Sequence, residues 1–340
     1  ERILFMKNIF KALNLKHFCT AAMIFILCFT ISGCGEIISD SYFSSQDGKI
    51  TNEHTSFSND SVSSESAEGY VNIHAIDVGQ GLGIIVESVD SRRQHHYMLI
   101  DGGPADHTSN LISYMQKNNI DSIESIFVTH FHADHINGSY AVLTKYGAEN
   151  IYQPGYTVSD RSIYKKWMKL IAGRNVFTDP PCGYSFSLGD ATVTVLSAEN
   201  NNSYDENNRS IGVRVTYGDT SCICLGDLEM EGEYDLCDIA ESRGVDLDAQ
   251  LYIAGHHGSY SSSSERLLKA MGQNIDQHLC VISCGMGNSY GHPHGDTLSR
   301  LAEADYEIWR TDRQGDIVFT LDGSSISSQT SACNDFTPGK

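Results

Sequence analysis

Several residue types are scarce in this 340-residue chain. It has only 6 prolines and 2 tryptophans, and its 23 Lys and Arg residues are outnumbered by 43 Asp and Glu residues, giving a formal net charge of -20. Such an acidic chain is not typical of proteins that hold duplex DNA through its phosphates. The hydrophobic fraction of 40% nevertheless supports a real core, in one large domain or two small ones.

The ten cysteines include no CxxC pair. Their spacing therefore predicts neither a disulfide framework nor a zinc ribbon. Cys222 and Cys224 lie two positions apart in "SCICLGD" and share one face of a predicted strand. We interpret them as buried thiols, because free cysteine packs as a small apolar residue.

Residues 1–33 have the pattern of an export signal. Three lysines precede the apolar run 18–31, which is too short for a confident membrane span. The run ends in "ISGC", which resembles a bacterial lipobox, so we expect cleavage before Cys34 and lipidation of that residue. An uncleaved signal anchor is the alternative, and Met6 is a candidate start residue. Either reading places the chain outside the cytoplasm, on the outer face of a bacterial cell membrane.

The rest of the chain divides into three predicted parts. Residues 34–69 are rich in Ser, Asp, Asn and Glu, which is typical of a flexible acidic tether. Residues 70–325 contain two groups of predicted strands with helical segments between them, and residues 326–340 have the composition of a polar tail. Two strand groups with interspersed helices predict two sheets packed face to face beneath helices. The expected class is α/β.

Potential metal ligands are concentrated in "VTHFHADHING". Its core, "HFHADH", holds His130, His132, Asp134 and His135 within six positions, directly after the buried strand "IESIFVTH". Imidazole and carboxylate groups are ligands for zinc, manganese or iron. One short loop can thus supply two ligands to each of two neighbouring ions. Lone histidines elsewhere, such as His74 and His95, have no partner at ligand spacing.

The HxHxDH pattern resembles the signature of the metallo-β-lactamase superfamily. "MLIDGG", "CLGD" and "AGHHGS" follow the superfamily's other motifs in order, over residues 70–321. The resemblance implies an αββα sandwich of two mixed β-sheets flanked by helices. It also implies that Asp101 orients a ligand from behind, that Asp227 bridges two ions, and that His256 binds the second ion with His257 as its neighbour.

Within the superfamily, the chain most resembles the hydrolase domain of ComEC-like DNA-uptake proteins and their stand-alone secreted relatives. The resemblance lies in segments that include "IHAIDVGQGLGIIVE", "ENNRSIGVRV" and "NSYGHPH". Leu82 departs from the pattern, because the family often has an acidic residue at this position. No histidine occurs between His135 and His256. Many superfamily members place a ligand there; ComEC-like domains instead carry Asn and Ser, here Asn208 and Ser210.

The first ion would then have His130, His132 and Asp227, with water, substrate or an Asn208 oxygen completing its shell. The second would have Asp134, His135, Asp227 and His256. A site with fewer nitrogen donors favours zinc less strongly and accepts manganese more readily. The predicted cofactors are therefore two divalent metal ions, zinc or manganese. A water bridging such ions would become a hydroxide nucleophile at neutral pH.

Three residues are candidates for catalysis beyond the metals. Asp134 could act as both ligand and proton acceptor, and His257 lies beside the second ion. His292, in "YGHPHGD", could hold a phosphate or protonate a leaving group. The alternative for His292 and His294 is that they are surface loop residues.

The predicted function is a lipid-anchored phosphodiesterase acting on nucleic acid or nucleotide. A cell-wall phosphodiester, such as a choline or teichoic-acid ester, is the close alternative. Lactamase, lactonase or thioesterase activity forms another class, which the missing middle histidine disfavours. A non-catalytic, metal-dependent binding lipoprotein is the third. DNA is a candidate substrate, the membrane is contacted only through the lipid, and no protein partner is predicted.

Overall fold

The computed structural model describes residues 69–200, 203 and 205–339. The predicted signal peptide (1–33), Cys34 and all but the last residue of the predicted tether (34–69) lie outside these residues and stay predictions. Within the described part, no helix has the length and apolar character needed to cross a membrane.

The described residues form fifteen strands and seven α-helices. The strands are β1 (Tyr70–Ala75), β2 (Gly83–Val89), β3 (His95–Asp101), β4 (Ser125–Phe127), β5 (Asn150–Gln153), β6 (Asn175–Thr178), β7 (Ser185–Leu188), β8 (Ala191–Ser197), β9 (Ile211–Tyr217), β10 (Thr220–Cys224), β11 (Leu251–Ile253), β12 (Leu279–Ile282), β13 (Glu307–Arg310), β14 (Ile317–Leu321) and β15 (Ile326–Ser328). The helices are α1 (Thr108–Lys117), α2 (Ala133–Tyr146), α3 (Ser162–Ile171), α4 (Met230–Arg243), α5 (Glu265–Met271), α6 (Gly295–Glu303) and α7 (Thr311–Gln314). Short 3-10 turns occupy Ala105–His107, Asn207–Arg209 and Gly255–Gly258.

The strands form two mixed sheets. The first has the order β15-β14-β1-β2-β3-β4-β5-β6, and the second has the order β13-β12-β11-β10-β9-β8-β7. Strands β3 to β6 run parallel in the first sheet, and β10 to β13 run parallel in the second. The remaining pairings are antiparallel.

Alternation along the strands produces three apolar layers. In β1, Val71 and Ile73 point into the core between the sheets, together with Val193 and Val213 from the second sheet. A second cluster joins the outer face of the first sheet to helices α1, α2 and α3. A third joins the outer face of the second sheet to α4, α5 and α6. The predicted αββα sandwich is therefore confirmed.

Helix α2 packs unusually close to the end of β3. A Cβ atom added to Gly138 would lie 1.7 Å from the carbonyl oxygen of Gly102. Neither position therefore has room for a side chain, and both require glycine. The amide of Gly102 also donates to the carbonyl of His135, at 2.9 Å. This contact places the first turn of α2 directly against Asp101.

The C-terminal segment is part of the domain, which corrects the predicted boundary at residue 325. Strand β15 pairs with β14 in the first sheet. Further on, the amide of Cys333 donates to the carbonyl of Ile308 at 3.0 Å, and Arg310, fully buried, donates to the carbonyl of Asp335 at 2.9 Å. Polar side chains of the segment take part as well, since Asn334 Oδ1 accepts from the amide of Ile308 at 3.0 Å and Asp335 Oδ2 accepts from Arg313 at 2.8 Å.

Candidate metal centre

The candidate ligands converge at the carboxyl ends of the parallel strands. His130 follows β4, Asp227 follows β10, and the histidine pair His256 and His257 follows β11. Carboxyl ends of parallel strands in one sheet share an edge, and here the two sheets bring their edges together. Side chains that are distant in sequence therefore meet in one cleft.

The "HFHADH" stretch changes conformation in its middle. His130 follows strand β4 and is fully buried, and His132 has extended backbone (φ -66°, ψ 152°) as the residue that precedes helix α2. Asp134 and His135 then belong to the first helical turn. The change from strand to helix directs these four side chains toward two neighbouring points.

Two groups of ligand atoms result, and Asp227 belongs to both. One group is His130, His132 and Asp227; the other is Asp134, His135, Asp227 and His257. Within each group, the ligand atoms lie within 4.8 Å of one another. Asp227 Oδ2 lies 3.8 Å from Nε2 of His130 and 3.1 Å from Nε2 of His135. Nε2 of His257 lies 3.5 Å from both Asp227 Oδ1 and Asp134 Oδ2.

The polar atoms at this point have no hydrogen-bond partner within the described chain. These buried atoms are Nε2 of His130, His135 and His257, and Oδ1 of Asp227. Buried polar atoms are nearly always paired, so four orphaned atoms facing one another call for a ligand. Imidazole nitrogen together with carboxylate oxygen suits a divalent transition metal. The residues present therefore fit divalent cations.

Asp101 supports the second group from behind. Its Oδ2 accepts a hydrogen bond from Nδ1 of His135 at 2.7 Å and another from the Thr129 hydroxyl at 2.6 Å. Its Oδ1 accepts from the amide of Thr129 at 2.9 Å. A carboxylate on Nδ1 leaves Nε2 of His135 for a metal, which is the usual arrangement behind a metal-binding histidine.

Comparison with known proteins fits this geometry. Residues 77–276 match the family model of the metallo-beta-lactamase superfamily. The chain belongs to that superfamily. It is 27% identical over 270 residues to ComE operon protein 3 of Bacillus subtilis (strain 168), and 25% identical over 255 residues to competence protein ComA of Neisseria gonorrhoeae. These matches cover 75% and 74% of this chain but 33% of each relative, so the chain spans about a third of their length.

Among solved structures, the metallo-beta-lactamase fold protein YhfI of Bacillus subtilis is similar at 13% identity, with a TM-score of 0.44. That match covers 70% of this chain and 96% of YhfI.

One superfamily motif is used differently from the prediction. The motif resemblance predicted His256 as a ligand of the second ion, but the structure places His257 in that ligand group. His257 is buried and its Nδ1 contacts the Ser283 carbonyl at 3.0 Å, whereas Nδ1 of His256 faces Glu229 at 3.2 Å. Both histidines have left-handed backbone, with φ values of 48° and 56°. Nε2 of His256 lies 3.7 Å from Asp227 Oδ2 and Nε2 of His257 lies 3.5 Å from Asp227 Oδ1, so this turn brings both rings near Asp227. Only the second ring also joins the group of Asp134 and His135.

The two polar residues of the middle stretch are not metal ligands in this arrangement. Asn208 is buried, and its side-chain oxygen accepts from the amides of Glu229 (3.3 Å) and Gly232 (3.1 Å) at the start of α4. Its oxygen is therefore engaged in capping that helix, as side-chain oxygens at helix starts commonly are. Ser210 is buried and its hydroxyl has no hydrogen-bond partner within the described chain. Neither belongs to a ligand group.

His292 lies in the wall of the same cleft. Its ring centre is 6.1 Å from that of His257. The Gln80 amide oxygen accepts from the amide of Gly285, so the Gln80 amino group faces Nδ1 of His292 at 3.1 Å and donates to it. Burial, followed by the neighbouring histidines His257 and His256, lowers the pKa of His292 to about 3. The ring is thus neutral, with its proton on Nε2. His294 instead contacts the backbone of Tyr260 and Tyr290.

The metal groups lie in a strongly anionic environment. Burial disfavours the charged form of Asp227, but His135 and His257 outweigh it and hold the pKa well below its usual range. Burial of His257 opposes protonation, but Asp227 and Asp134 raise its pKa to about 9. His130 has the opposite balance, since burial and the neighbouring His135 keep its pKa low. Carboxylates that stabilise positive charge on these rings would stabilise a cation in the same way.

Further cleft residues were missed by the sequence analysis. The cleft has a volume of about 380 Å³, and its lining adds Gln80, Arg161, Asn207 and Tyr290 to the predicted residues. Arg161 precedes α3 and donates to Glu206 at 2.6 Å, and Glu206 in turn lies 3.9 Å from His132. Gln80, Asn207 and Tyr290 lie in the segments "IHAIDVGQGLGIIVE", "ENNRSIGVRV" and "NSYGHPH", whose sequence shows a resemblance but not which side chains reach the cleft. Arg161 lies in none of the quoted motifs.

Proposed function

We propose that this protein is a two-metal phosphodiesterase that acts on nucleic acid or nucleotide outside the cytoplasm, held to the membrane by lipid on Cys34. The metallo-β-lactamase fold supports hydrolase chemistry in general. The narrower proposal depends on one observation above all. Asp227 is shared by two ligand groups whose buried nitrogen atoms otherwise have no partner, and both groups open into one cleft.

Two divalent ions held there would supply Lewis acidity, activating water and neutralising the charge of a phosphoryl group. The chain's own residues have complementary tasks. Arg161 lines the cleft beside His132, and a guanidinium is well suited to bind phosphate oxygens. Asp134 is ionised, since the charges of His135 and His257 outweigh its burial and hold its pKa low, and its carboxylate can bind a cation and accept a hydrogen bond from the attacking water.

His292 is better suited to bind than to protonate. A group with a pKa of about 3 carries no extra proton at neutral pH, which argues against a general acid. Its Nε2–H can still donate a hydrogen bond to a phosphate oxygen. We therefore assign His292 to holding the substrate.

The resemblance to competence proteins supports a nucleic-acid substrate. One relative is named competence protein ComA and the other ComE operon protein 3, although this chain spans about a third of their length. The proposal accordingly concerns hydrolysis and includes no transport step. The net charge of -20 favours short or single-stranded substrates over a duplex.

The experiment uses purified protein lacking residues 1–34, loaded with manganese or zinc. Bis-p-nitrophenyl phosphate, single-stranded DNA, p-nitrophenylphosphorylcholine and nitrocefin are offered in parallel, and bound metal is counted by elemental analysis. We expect about two ions per chain and hydrolysis of the first two substrates. Hydrolysis of the choline ester alone would favour a cell-wall substrate. Activity on nitrocefin alone would overturn the phosphodiesterase proposal, and tight binding without turnover would indicate a receptor.

The anchor is tested separately in bacterial cells that carry the full chain. We expect labelled palmitate to be incorporated into the wild type and not into Cys34→Ser. Label retained in that variant, or protein found in the cytoplasm, would overturn the proposed localisation.

A further inference from the structure

An exposed aromatic ring lies at the edge of the metal cleft. Tyr290 lines this cleft, and 65% of its surface is exposed. Large exposed apolar or aromatic side chains of this kind are few in the described part of the chain, and they concentrate here. Tyr260 (60%) and Met286 (79%) belong to the neighbouring loops. Such exposure beside a reaction centre suggests contact with a ligand.

The ring of Tyr290 is held in place on one side. It stacks on His292 with ring centres 5.6 Å apart and an angle of 24° between the planes. His292 in turn lies 6.1 Å, centre to centre, from the candidate ligand His257. Tyr290 is therefore one ring removed from the metal groups, with its exposed part available to a substrate bound there.

The loop that carries Tyr290 is preorganised. The side-chain oxygen of Asn288 accepts from the amides of Tyr290 (3.1 Å) and His292 (3.0 Å). The amino group of Asn288 donates to the carbonyls of Gly285 (2.9 Å) and His292 (2.7 Å). A loop fixed by four hydrogen bonds loses little conformational entropy when a ligand binds.

We propose that Tyr290, backed by His292, stacks on an unpaired nucleobase next to the scissile phosphodiester. This inference rests on the proposed function and names its substrate class as single-stranded nucleic acid or a nucleotide diester. A base within a duplex is already stacked and cannot reach a tyrosine at the cleft edge. Stacking acts between the faces of the ring and the base, so it can add to binding in a chain of net charge -20.

Binding is measured first, because it does not depend on turnover. Calorimetric titrations compare a phosphorothioate thymidine octamer with an abasic octamer of the same length. A stacked base contributes about 1–3 kcal/mol. We expect Tyr290→Ala to weaken octamer binding about tenfold, and Tyr290→Phe to restore it because the ring remains. Tyr234→Ala, an exposed tyrosine that does not line the cleft, is the matched control and should bind like the wild type.

The stacking inference is overturned if Tyr290→Ala binds the thymidine octamer as tightly as the wild type does. The inference is also overturned if Tyr290→Ala weakens the binding of the octamer and of the abasic octamer by the same factor. The ring would then contact the nucleic-acid backbone or stabilise the loop, and would not stack on a base. Circular dichroism and thermal unfolding of each variant establish that the fold is retained.

Kinetics then separates this inference from the proposed function. We expect Tyr290→Ala to lower the kcat/KM preference for the p-nitrophenyl ester of thymidine 5′-phosphate over methyl p-nitrophenyl phosphate about tenfold. A loss confined to p-nitrophenylphosphorylcholine would overturn base stacking in favour of an ammonium ligand on the ring. If no phosphodiester is hydrolysed, the proposed function fails while the titrations still decide whether bases stack on Tyr290.

Discussion

The two ligand groups of the cleft differ in how their histidines are supported. In the second group, His135 is buried against Asp101 and His257 is buried against the Ser283 carbonyl. In the first group, His130 contacts the Thr129 hydroxyl at 3.1 Å, but the side chain of His132 is 30% exposed and neither ring nitrogen has a hydrogen bond in the described chain.

The difference indicates unequal metal affinity. Rings that are already oriented bind an ion without further loss of side-chain entropy, whereas His132 must be ordered by the ion itself. The first group also offers three residues and the second offers four. We therefore expect the second ion to bind tightly and the first to be lost readily.

The largest loss of activity is expected at Asp227, which belongs to both ligand groups. Asp227→Ala removes the only residue that they share, so both ions should bind poorly and activity should fall at least ~10³-fold. Elemental analysis and phosphodiester hydrolysis measure this. Asp219→Ala, in an exposed turn before the same strand, is the control. Wild-type metal content in Asp227→Ala would remove the shared-ligand arrangement.

The adjacent histidines give the next largest effect. His257→Ala should lose the second ion and lower activity by about 10²-fold or more, because it removes a ligand and leaves the carboxylates of Asp134 and Asp227 short of a partner. His256→Ala removes a half-buried ring that lies near both Glu229 and Asp227 but belongs to neither ligand group, so it should have a smaller effect on metal affinity. Calorimetric titration with manganese compares the two variants. The reverse order would restore the original assignment of His256.

A substitution of His132 tests the metal affinity of the first group alone. His132→Ala should reduce the bound metal from two ions to one without weakening the second ion, since His132 belongs only to the first group. Titration of chelator-treated protein provides the stoichiometry. Two ions still bound at wild-type affinity would mean that the groups do not differ as described.

The smallest loss of metal affinity is expected at Asp101, which accepts a hydrogen bond from His135 of the second group. Asp101→Asn keeps an oxygen for the Thr129 amide but weakens the hold on His135, so metal affinity should fall about 10–100-fold. Activity at limiting and at saturating manganese distinguishes lost affinity from lost fold. Equal activity at both concentrations would contradict a supporting role for Asp101.

Strand pattern and motif order carried most of the fold prediction. The alternation in "YVNIHA" and the buried "SCIC" correspond to β1 and β10, and the two strand groups correspond to two sheets. Helix α2 escaped prediction because Asn137 and Gly138 weaken its helical pattern. Gly138 is there for close packing on Gly102, a reason that lies in a distant segment.

The candidate site was less accessible to sequence reasoning. Ligand type was readable from "HFHADH", but which of two adjacent histidines joins Asp134 and His135 in a ligand group depends on left-handed backbone at both. The roles of Asn208 and Arg161 depend on what lies opposite them in space. Asn208 faces the start of α4, and Arg161 faces Glu206.

The end of the chain has a practical bearing on all these measurements. The amide of Gly339 donates to the carbonyl of Pro293 at 2.9 Å, and a Cβ atom at this position would approach the His292 carbonyl to 2.0 Å. A purification tag fused after this glycine would start beside the loop that carries His292 and Tyr290. Tags for the assays above are better placed ahead of residue 69, so that the rim of the cleft keeps its native packing.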